Sequence, residues 1–558
     1  MPMAARPLPS GATLFSSVVS RALDLPPKRN KVVVTRGVRI PMADGTILLA
    51  DHYAPVTREP RPTILVRCPY GRGIGQVQLM ALPYAERGYH VLLQSCRGTF
   101  GSGGVFEPGL GEAEDGQATV VWLRTQDWFD GRLATFGGSY LSFVQWALAT
   151  DPPPELKAMV AQVSFHDFAQ GGYEQGPFNL LDLLMWSDSI SNQESVGALT
   201  GLLRTMRGRR RLGPFMDRLP LKGMADHLSG KGAPWFDDWV THPDVQDAFW
   251  DRRRHGEALQ RLTVPVLLTG GFQDLFLQQT LEQYRTLQDR GVPVALTLGP
   301  WTHTNASQRT ILHEALAWLD AHVAGDGPTP RKQPVRVQIG GTKEWRELAQ
   351  WPPAGTTEQQ WYLQEGTELT TTPPGELSAE PATGSTGLHY DPADPTPAVG
   401  GRFMSPGGGQ RDNSALEQRH DVITFTSRPL TRAIEVMGAP TVELELSSDN
   451  PYADIFARLC DVDAKGRSRN ITDQIVRLAP DGTGPKDVRT VRIVLDDTAH
   501  RFLPGHRIRL QISGGAHPRF ARNPGTPEPV ATATKTASVN HRIHHTASHP
   551  SRLTLPIT

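Results

Sequence analysis

The sequence has few cysteines, no long apolar run and no excess of either charge. Its three cysteines, Cys68, Cys96 and Cys460, are too few and too scattered for a disulfide framework, and no Cys-x-x-Cys pair indicates zinc. No run approaches eighteen apolar residues, so we expect no transmembrane helix. Lysine plus arginine and aspartate plus glutamate each number 57, which argues against a protein that binds nucleic acid or an acidic membrane. We therefore expect a protein of a reduced compartment, the cytoplasm.

Length and composition predict several domains with many turns. The chain has 558 residues, too many for one ordinary domain, and glycine and proline make up about 18% of it against roughly 12% on average. Short apolar runs alternate with helix-compatible stretches up to about residue 350, which is typical of a mostly parallel sheet with helices on both faces. After residue 351, β-type runs without helical periodicity predict an all-β sandwich or jelly roll. The domains we expect are an N-terminal extension (1–30), an α/β core (31–164 and 263–350), a helical insertion (165–262) and a C-terminal jelly roll (351–558).

A serine follows two glycines at the end of one β-prone run. Residues 133–136 lead into Gly137, Gly138 and Ser139, and a helix-compatible stretch follows. This is the context of a nucleophile elbow, in which small neighbours let the backbone turn sharply from strand to helix. The strict Gly-x-Ser-x-Gly pattern fails at Leu141, and a serine that only caps the helix is the alternative.

Two later runs add an acid and a base. The run 264–268 leads through glycines to Asp274, and the run 294–298 leads to His303. Catalytic groups of open α/β sheets lie at the carboxyl ends of the strands, and Ser139, Asp274 and His303 follow the chain order of an α/β-hydrolase triad. In such a triad the histidine takes the serine proton and the aspartate orients the histidine.

The tetrahedral oxyanion of such a reaction needs hydrogen-bond donors. The backbone N–H of Tyr140, the residue after the nucleophile, is one candidate. Tyr70, which follows the early run 63–68, is the other, through its phenol.

The whole motif set resembles the CocE/NonD hydrolases, the group that includes cocaine esterase and is related to Xaa-Pro dipeptidyl-peptidases and α-amino-acid ester hydrolases. The resemblance extends over nearly the whole chain from about Lys31. The motifs that carry it are Asp44-Gly45, Arg67-Cys68-Pro69-Tyr70, Ser95-Cys96-Arg97-Gly98, Gly137-Gly138-Ser139-Tyr140, Gly270-Gly271-Phe272-Gln273-Asp274, Gly299-Pro300-Trp301-Thr302-His303 and Phe520-Ala521-Arg522-Asn523-Pro524.

The resemblance implies an α/β-hydrolase core with an inserted helical cap and a C-terminal jelly-roll domain. It assigns the nucleophile to Ser139, the acid to Asp274, the base to His303 and the oxyanion donors to Tyr70 and Tyr140. Phe276 matches a position that lines the acyl pocket in relatives. Two departures are visible: Ser142 replaces a common glycine, and Gln273 replaces a common aromatic residue near the pocket, which affects substrate preference.

Neither a metal nor a cofactor is expected. The closing histidines His541, His544, His545 and His549 lack nearby cysteines or a carboxylate cluster, so packing or surface roles are favoured over zinc. The run Gly101-x-Gly103-Gly104 is not a dinucleotide fingerprint.

We interpret the chain as a serine hydrolase that cleaves small esters or amides through an acyl-enzyme. The alternatives are an Xaa-Pro dipeptidyl-peptidase or α-amino-acid ester hydrolase, which must bind an α-ammonium through a cap carboxylate such as Glu174, Asp182 or Asp188, and a non-catalytic scaffold that binds ligand or carbohydrate. The expected partner is an ester, amide or short peptide substrate, with no nucleic acid and no membrane. The sequence leaves the oligomeric state open, with a homo-oligomer as one alternative.

Overall fold

The structure is a computed structural model that describes residues 6–558 except 9, 175, 229, 326, 328–330, 373–383, 405, 406, 481, 483, 485 and 486. Among these residues, the first eleven strands form one sheet: β1 (Arg6–Pro7), β2 (Val32–Pro41), β3 (Ile47–Pro55), β4 (Thr63–Cys68), β5 (His90–Ser95), β6 (Leu133–Gly138), β7 (Leu156–Gln162), β8 (Val266–Gln273), β9 (Val294–Thr302), β10 (Val335–Gln338) and β11 (Trp345–Leu348). The α-helices are α1 (Ser10–Ala22), α2 (Ile74–Gln76), α3 (Leu82–Ala85), α4 (Glu112–Leu123), α5 (Tyr140–Leu148), α6 (Phe168–Tyr173), α7 (Leu180–Asn192), α8 (Ala198–Met206), α9 (Gly208–Met216), α10 (Trp235–Thr241), α11 (Glu257–Arg261), α12 (Leu277–Asp289) and α13 (Gln308–Leu319).

The sheet reverses its strand order beside β4. Its order is β1-β2-β3-β5-β4-β6-β7-β8-β9-β10-β11, and the strands from β5 to β10 are parallel. Strand β5 lies on one side of β4 and β6 on the other. The crevice at the carboxyl ends of β4 and β6 is therefore a topological switch point, where open α/β sheets bind their ligands.

Alternate residues of the central strands pack into different hydrophobic clusters. Ile64 and Val66 pack in one cluster with residues of α3 and α13, whereas Leu65 packs in another that includes residues of α4. Because successive side chains of a strand point to opposite faces, both faces of the sheet are covered. This explains the continuous apolar runs in the sequence, since each strand is buried on both sides.

Helices fill the interval between β7 and β8. Within the described residues of that interval, α6 to α11 and two short 3₁₀ segments are the regular elements. Their aromatic side chains form one cluster with Phe143 of α5 and with Phe403 from the C-terminal part. The cap formed by these helices (168–261) therefore packs on both the sheet domain and the C-terminal domain.

The C-terminal part is a β-sandwich, as the sequence predicts. A nine-stranded sheet contains β12 (Thr357–Leu363), β13 (Leu369–Thr370), β14 (Ser385–Tyr390), β16 (Ile434–Gly438), β17 (Thr441–Ser448), β20 (Arg489–Val494), β21 (Thr498–Phe502), β23 (Val539–His544) and β24 (Arg552–Ile557), and a four-stranded sheet contains β15 (Val422–Thr426), β18 (Asp454–Val462), β19 (Ser468–Arg477) and β22 (Arg507–Ser513), counted over the described residues. Leu444 of the larger sheet and Leu510 of the smaller one lie in one buried cluster, so the two sheets enclose a common core.

No helix in the described part of the chain is long and apolar enough to cross a membrane.

Candidate active site

Strand β6 brings Ser139 to the switch point on a sharp turn. Ser139 lies between the end of β6 and the start of α5 with φ 61° and ψ −128°, a strained conformation for a residue with a side chain. A Cβ at Gly137 would lie 2.4 Å from the Cβ of Leu141, and one at Gly138 would lie 3.2 Å from the Cβ of Gln162. The two glycines thus make room for the strand-to-helix elbow that the sequence predicts.

His303 lies between Ser139 and Asp274. Its Nε2 is 2.9 Å from the Oγ of Ser139, and its Nδ1 is 2.8 Å from Oδ2 of Asp274. The other carboxylate oxygen of Asp274 accepts the N–H of Phe276 at 2.7 Å. The side chains of His303 and Asp274 are 6% and 1% exposed, so this row is shielded from water. With Nδ1 donating to Asp274, Nε2 can accept the proton of Ser139, which is the geometry of a general base beside a nucleophile.

Two donors are placed near the Ser139 hydroxyl. Tyr140 is the first residue of α5, so its backbone N–H has no intrahelical acceptor. Tyr70 follows β4 and lines the same pocket as Ser139, and burial raises the pKa of its phenol, which therefore stays protonated at neutral pH. The phenol oxygen of Tyr70 accepts the indole N–H of Trp186 at 3.1 Å.

The pocket above Ser139 has two lobes that share Ser139, Trp186, His303 and Met404. The aromatic lobe is walled by Phe165, Phe168 and Phe276. The cap lobe has Tyr70, Met185, Ser189 and Thr304 in its wall. An apolar cavity with a few polar groups at one point is typical of a small-molecule site.

Two family models together match most of the chain. The model of the X-Pro dipeptidyl-peptidase (S15 family) matches residues 44–305, and the model of the X-Pro dipeptidyl-peptidase C-terminal non-catalytic domain matches residues 329–554. The cocaine esterase of Rhodococcus sp. (strain MB1 Bresler) is 31% identical, over 94% of this chain and 98% of that protein. The chain belongs to the CocE/NonD family of serine hydrolases. The resemblance expected from the sequence is thus confirmed.

Solved structures show the same fold for this serine hydrolase. An α-amino acid ester hydrolase superposes with a TM-score of 0.80 at 23% identity, over 95% of this chain and 97% of that one. An aminopeptidase from a marine sediment Thaumarchaeota archaeon also reaches 0.80, at 24% identity over 94% and 96% of the two chains. The predicted fold class, a hydrolase core with a C-terminal β domain, is confirmed.

Of the three cap carboxylates that the sequence offers, Asp182 lies in the hydrolase's pocket. Glu174 pairs with Arg402 at 3.0 Å, and Asp188 pairs with Arg204 and Arg211. Among the described residues, Asp182 lines the aromatic lobe, whereas Glu174 and Asp188 do not.

The environment of Asp182 is unusual for a carboxylate. Its side chain is buried; Oδ1 accepts the N–H of Met404 at 2.8 Å, and Oδ2 has no well-formed hydrogen bond within the described residues. Burial raises the pKa of Asp182 to about 6, although the N–H of Met404, the charges of Arg519 and His303 and the side chain of Asn179 act in the opposite direction.

The two residues expected in the substrate pocket occupy different positions. Phe276 lines the aromatic lobe and contacts His303 edge-on, with ring centroids 5.4 Å apart. Gln273 instead donates from Nε2 to the carbonyl of Ile471 in the β-sandwich at 2.5 Å. It is not among the described residues that line either lobe.

Sequence reasoning missed Trp186 and Met404. Trp186 lies one helical turn after Asp182 on α7, a spacing that could have linked the two residues. Met404 comes from a loop of the C-terminal part, and no local signal in the sequence marks it.

The C-terminal histidines take part in hydrogen bonds of the β-sandwich. The Nδ1 of His541 lies 2.6 Å from the Oγ of Ser448, and the Nε2 of His544 lies 2.9 Å from the Oγ of Ser447. In the described residues, no group of three or more His, Cys, Asp or Glu side chains is arranged to hold a metal ion.

Proposed function

We propose that this serine hydrolase cleaves small carboxylic esters through an acyl-enzyme on Ser139, with His303 as the base and Asp274 as the residue that orients it. The observation that carries the proposal is the hydrogen-bonded row of these three side chains at the base of an apolar pocket.

In the first step, His303 takes the proton of Ser139 while Oγ attacks the ester carbonyl. Negative charge develops on the carbonyl oxygen, which the phenol of Tyr70 and the backbone N–H of Tyr140 stabilise. Each such donor contributes about 3–4 kcal/mol to the transition state. His303 then gives its proton to the leaving alcohol, and a water activated by the same imidazole releases the acid.

The aromatic lobe suits an apolar acyl group. Phe165 and Phe276 stack with ring centroids 4.2 Å apart, and Phe276 also borders His303. The cap lobe, which holds Tyr70, would then receive the alcohol part.

Active-site labelling tests the nucleophile. A fluorophosphonate probe should label the wild-type protein and fail on Ser139→Ala. Ser142→Ala is the matched control: Ser142 lies three residues on, and its Oγ donates to the carbonyl of Ser139 at 2.7 Å, away from the reacting atoms. Equal labelling of Ser139→Ala and wild type would end the proposal.

A substrate panel tests the reaction. p-Nitrophenyl acetate and butyrate should be cleaved faster than Ala-Pro-p-nitroanilide. Rapid cleavage of the anilide with negligible ester cleavage would favour a dipeptidyl-peptidase instead.

The second candidate function is hydrolysis of esters or amides whose acyl part carries an ammonium group. Asp182 favours it, because a buried carboxylate with an unsatisfied oxygen is costly unless a cation pairs with it. Asp182 lies in the same lobe as Ser139, where a bound acyl group would place its α-substituent.

Two isosteric substrates separate the candidates. The p-nitrophenyl esters of alanine and of isobutyric acid differ by an ammonium in place of a methyl group. If Asp182 binds the ammonium, Asp182→Asn should lower the kcat/KM ratio of alanyl to isobutyryl ester by about 10–100-fold. A kcat/KM ratio of alanyl to isobutyryl ester near one in both wild type and variant would contradict this second function and support an esterase that does not recognise an ammonium group.

We place the protein in the cytoplasm. Cys68, Cys96 and Cys460 are all free and buried, as is common in reducing compartments. Fractionation of the source cells with an antibody against the protein tests this location.

A further inference from the structure

Cap helix α7 presents one face to the active site. Asp182 and Trp186 are four residues apart on α7, as are Met185 and Ser189, and all four residues line the pocket. The Trp186 ring also stacks with that of Tyr140, at a centroid distance of 6.0 Å and an angle of 14°. The indole of Trp186 is therefore held in place, and its N–H points at the phenol oxygen of Tyr70.

This contact decides which way the Tyr70 hydroxyl can donate. A phenol has one proton and accepts through its oxygen, whereas an indole N–H only donates. The oxygen of Tyr70 is therefore the acceptor toward Trp186, and its proton must point to another group. The Ser139 hydroxyl is close enough to the Tyr70 phenol to form a hydrogen bond with it, and both side chains line the cap lobe.

The loop that carries Tyr70 is held from both sides. On the cap side, Gln193 follows α7 directly and donates from Nε2 to the carbonyl of Pro69 at 2.8 Å. On the core side, the N–H of Tyr70 donates to Sγ of Cys68 at 3.4 Å, and Arg72 pairs with Asp51 at 3.2 Å. The cap thus contacts both the side chain and the adjoining backbone of Tyr70.

We propose that Trp186 is a positioning residue for Tyr70. By donating to the phenol oxygen, the indole of Trp186 directs the Tyr70 hydroxyl toward the oxyanion and makes it a stronger donor. Helix α7 of the cap thus contributes to the oxyanion hole. Hydrogen-bonded chains strengthen each member, and a donor already aimed at the developing charge needs no reorganisation during the reaction. The inference rests on the proposed role of Tyr70.

A double-mutant cycle on p-nitrophenyl acetate tests the proposal. Tyr70→Phe alone should lower kcat by about 10²–10³-fold. Trp186→Phe, which keeps an aromatic ring but removes the N–H, should lower kcat by about 5–10-fold and change KM less. In the Tyr70→Phe background, the same Trp186 change should alter kcat by less than about twofold, because the group that it positions is gone.

Two further proteins guard against simple damage to the cap. Replacement of Trp186 by 3-benzothienylalanine keeps both rings and their volume but lacks the N–H, and it should reproduce the loss seen with Trp186→Phe. Trp235→Phe is the matched control, because Trp235 also donates an indole hydrogen bond in the cap, at 3.1 Å to Ser187, but not to Tyr70. Its kcat should stay at the wild-type value.

The outcomes are distinct. An equal loss from Trp186→Phe in both backgrounds, or wild-type kcat with 3-benzothienylalanine, would make Trp186 a pocket wall only and overturn the inference while the proposed function stands. An unchanged rate in Tyr70→Phe would remove both Tyr70 and this inference. Full probe labelling of Ser139→Ala would instead be a failure of the proposed function itself.

Discussion

The Nδ1 of His303 and the Oδ2 of Asp274 lie 2.8 Å apart, and both side chains are almost fully buried. Asp274→Asn would keep the shape but replace an acceptor by a donor or a neutral oxygen, so the imidazole would lose its productive tautomer. We expect kcat for ester hydrolysis to fall by about 10⁴-fold with little change in folding. Steady-state kinetics with a thermal unfolding scan check this; a loss below tenfold in a folded variant would contradict the role of Asp274.

The elbow at Ser139 depends on the absence of a side chain at Gly137. Its φ is 152°, which residues with a side chain rarely adopt, and a Cβ there would lie 2.4 Å from that of Leu141. Gly137→Ala should therefore lower the free energy of unfolding by about 3 kcal/mol or more. Gly138→Ala, where the nearest atom is 3.2 Å away, should cost less, and urea unfolding of both variants measures the difference. Equal losses of stability in the two variants would contradict this expectation, because they would mean that the structure adjusts to relieve the close contact at position 137.

The sequence predicted those parts of the site that depend on local order along the chain. Ser139, Asp274 and His303 each follow a strand directly, and parallel strands bring their carboxyl ends to one edge of the sheet. The assignment of these three residues needed only the strand ends and their order. Tyr70 lies two residues after β4, and its role as an oxyanion donor was assigned from the family resemblance.

Other parts of the site depend on tertiary packing and had no local signal. Which of Glu174, Asp182 and Asp188 lines the pocket depends on which side of the cap faces the pocket and on which of these carboxylates pair with arginine. Gln273 precedes Asp274 at the end of β8, and successive strand residues point to opposite sides, so its amide reaches the β-sandwich instead of the pocket. Met404 joins the pocket only because the C-terminal domain docks there.

Asp182 gives the stability of the protein a pH dependence. Its pKa is raised from 3.8 to about 6 by burial. For a carboxyl whose pKa is raised in the folded state, its contribution to the free energy of unfolding is fully present below about pH 4. That contribution is lost as the pH rises through 6. At about 1.4 kcal/mol per pKa unit, the loss approaches about 3 kcal/mol.

Asp182→Asn should therefore be more stable than wild type at pH 8 and similar to it at pH 4. Urea unfolding across this range measures the difference, and Asp226→Asn, at an exposed position, should stay within about 0.5 kcal/mol of wild type throughout. The same difference between Asp182→Asn and wild type at both pH values would contradict this expectation.

Arg402 joins the three parts of the molecule. Its buried guanidinium pairs with Glu174 of the cap at 3.0 Å, donates to the carbonyl of Leu275 in the core at 3.2 Å and contacts the carboxylate of Asp496 in the β-sandwich. Arg402→Met would leave two carboxylates without their cation, which should cost about 3–5 kcal/mol of the free energy of unfolding. Arg124→Met removes a more exposed pair with Glu155 and should cost less than about 1 kcal/mol. Unfolding in urea compares the two, and similar losses would mean that Arg402 does not hold the three parts together.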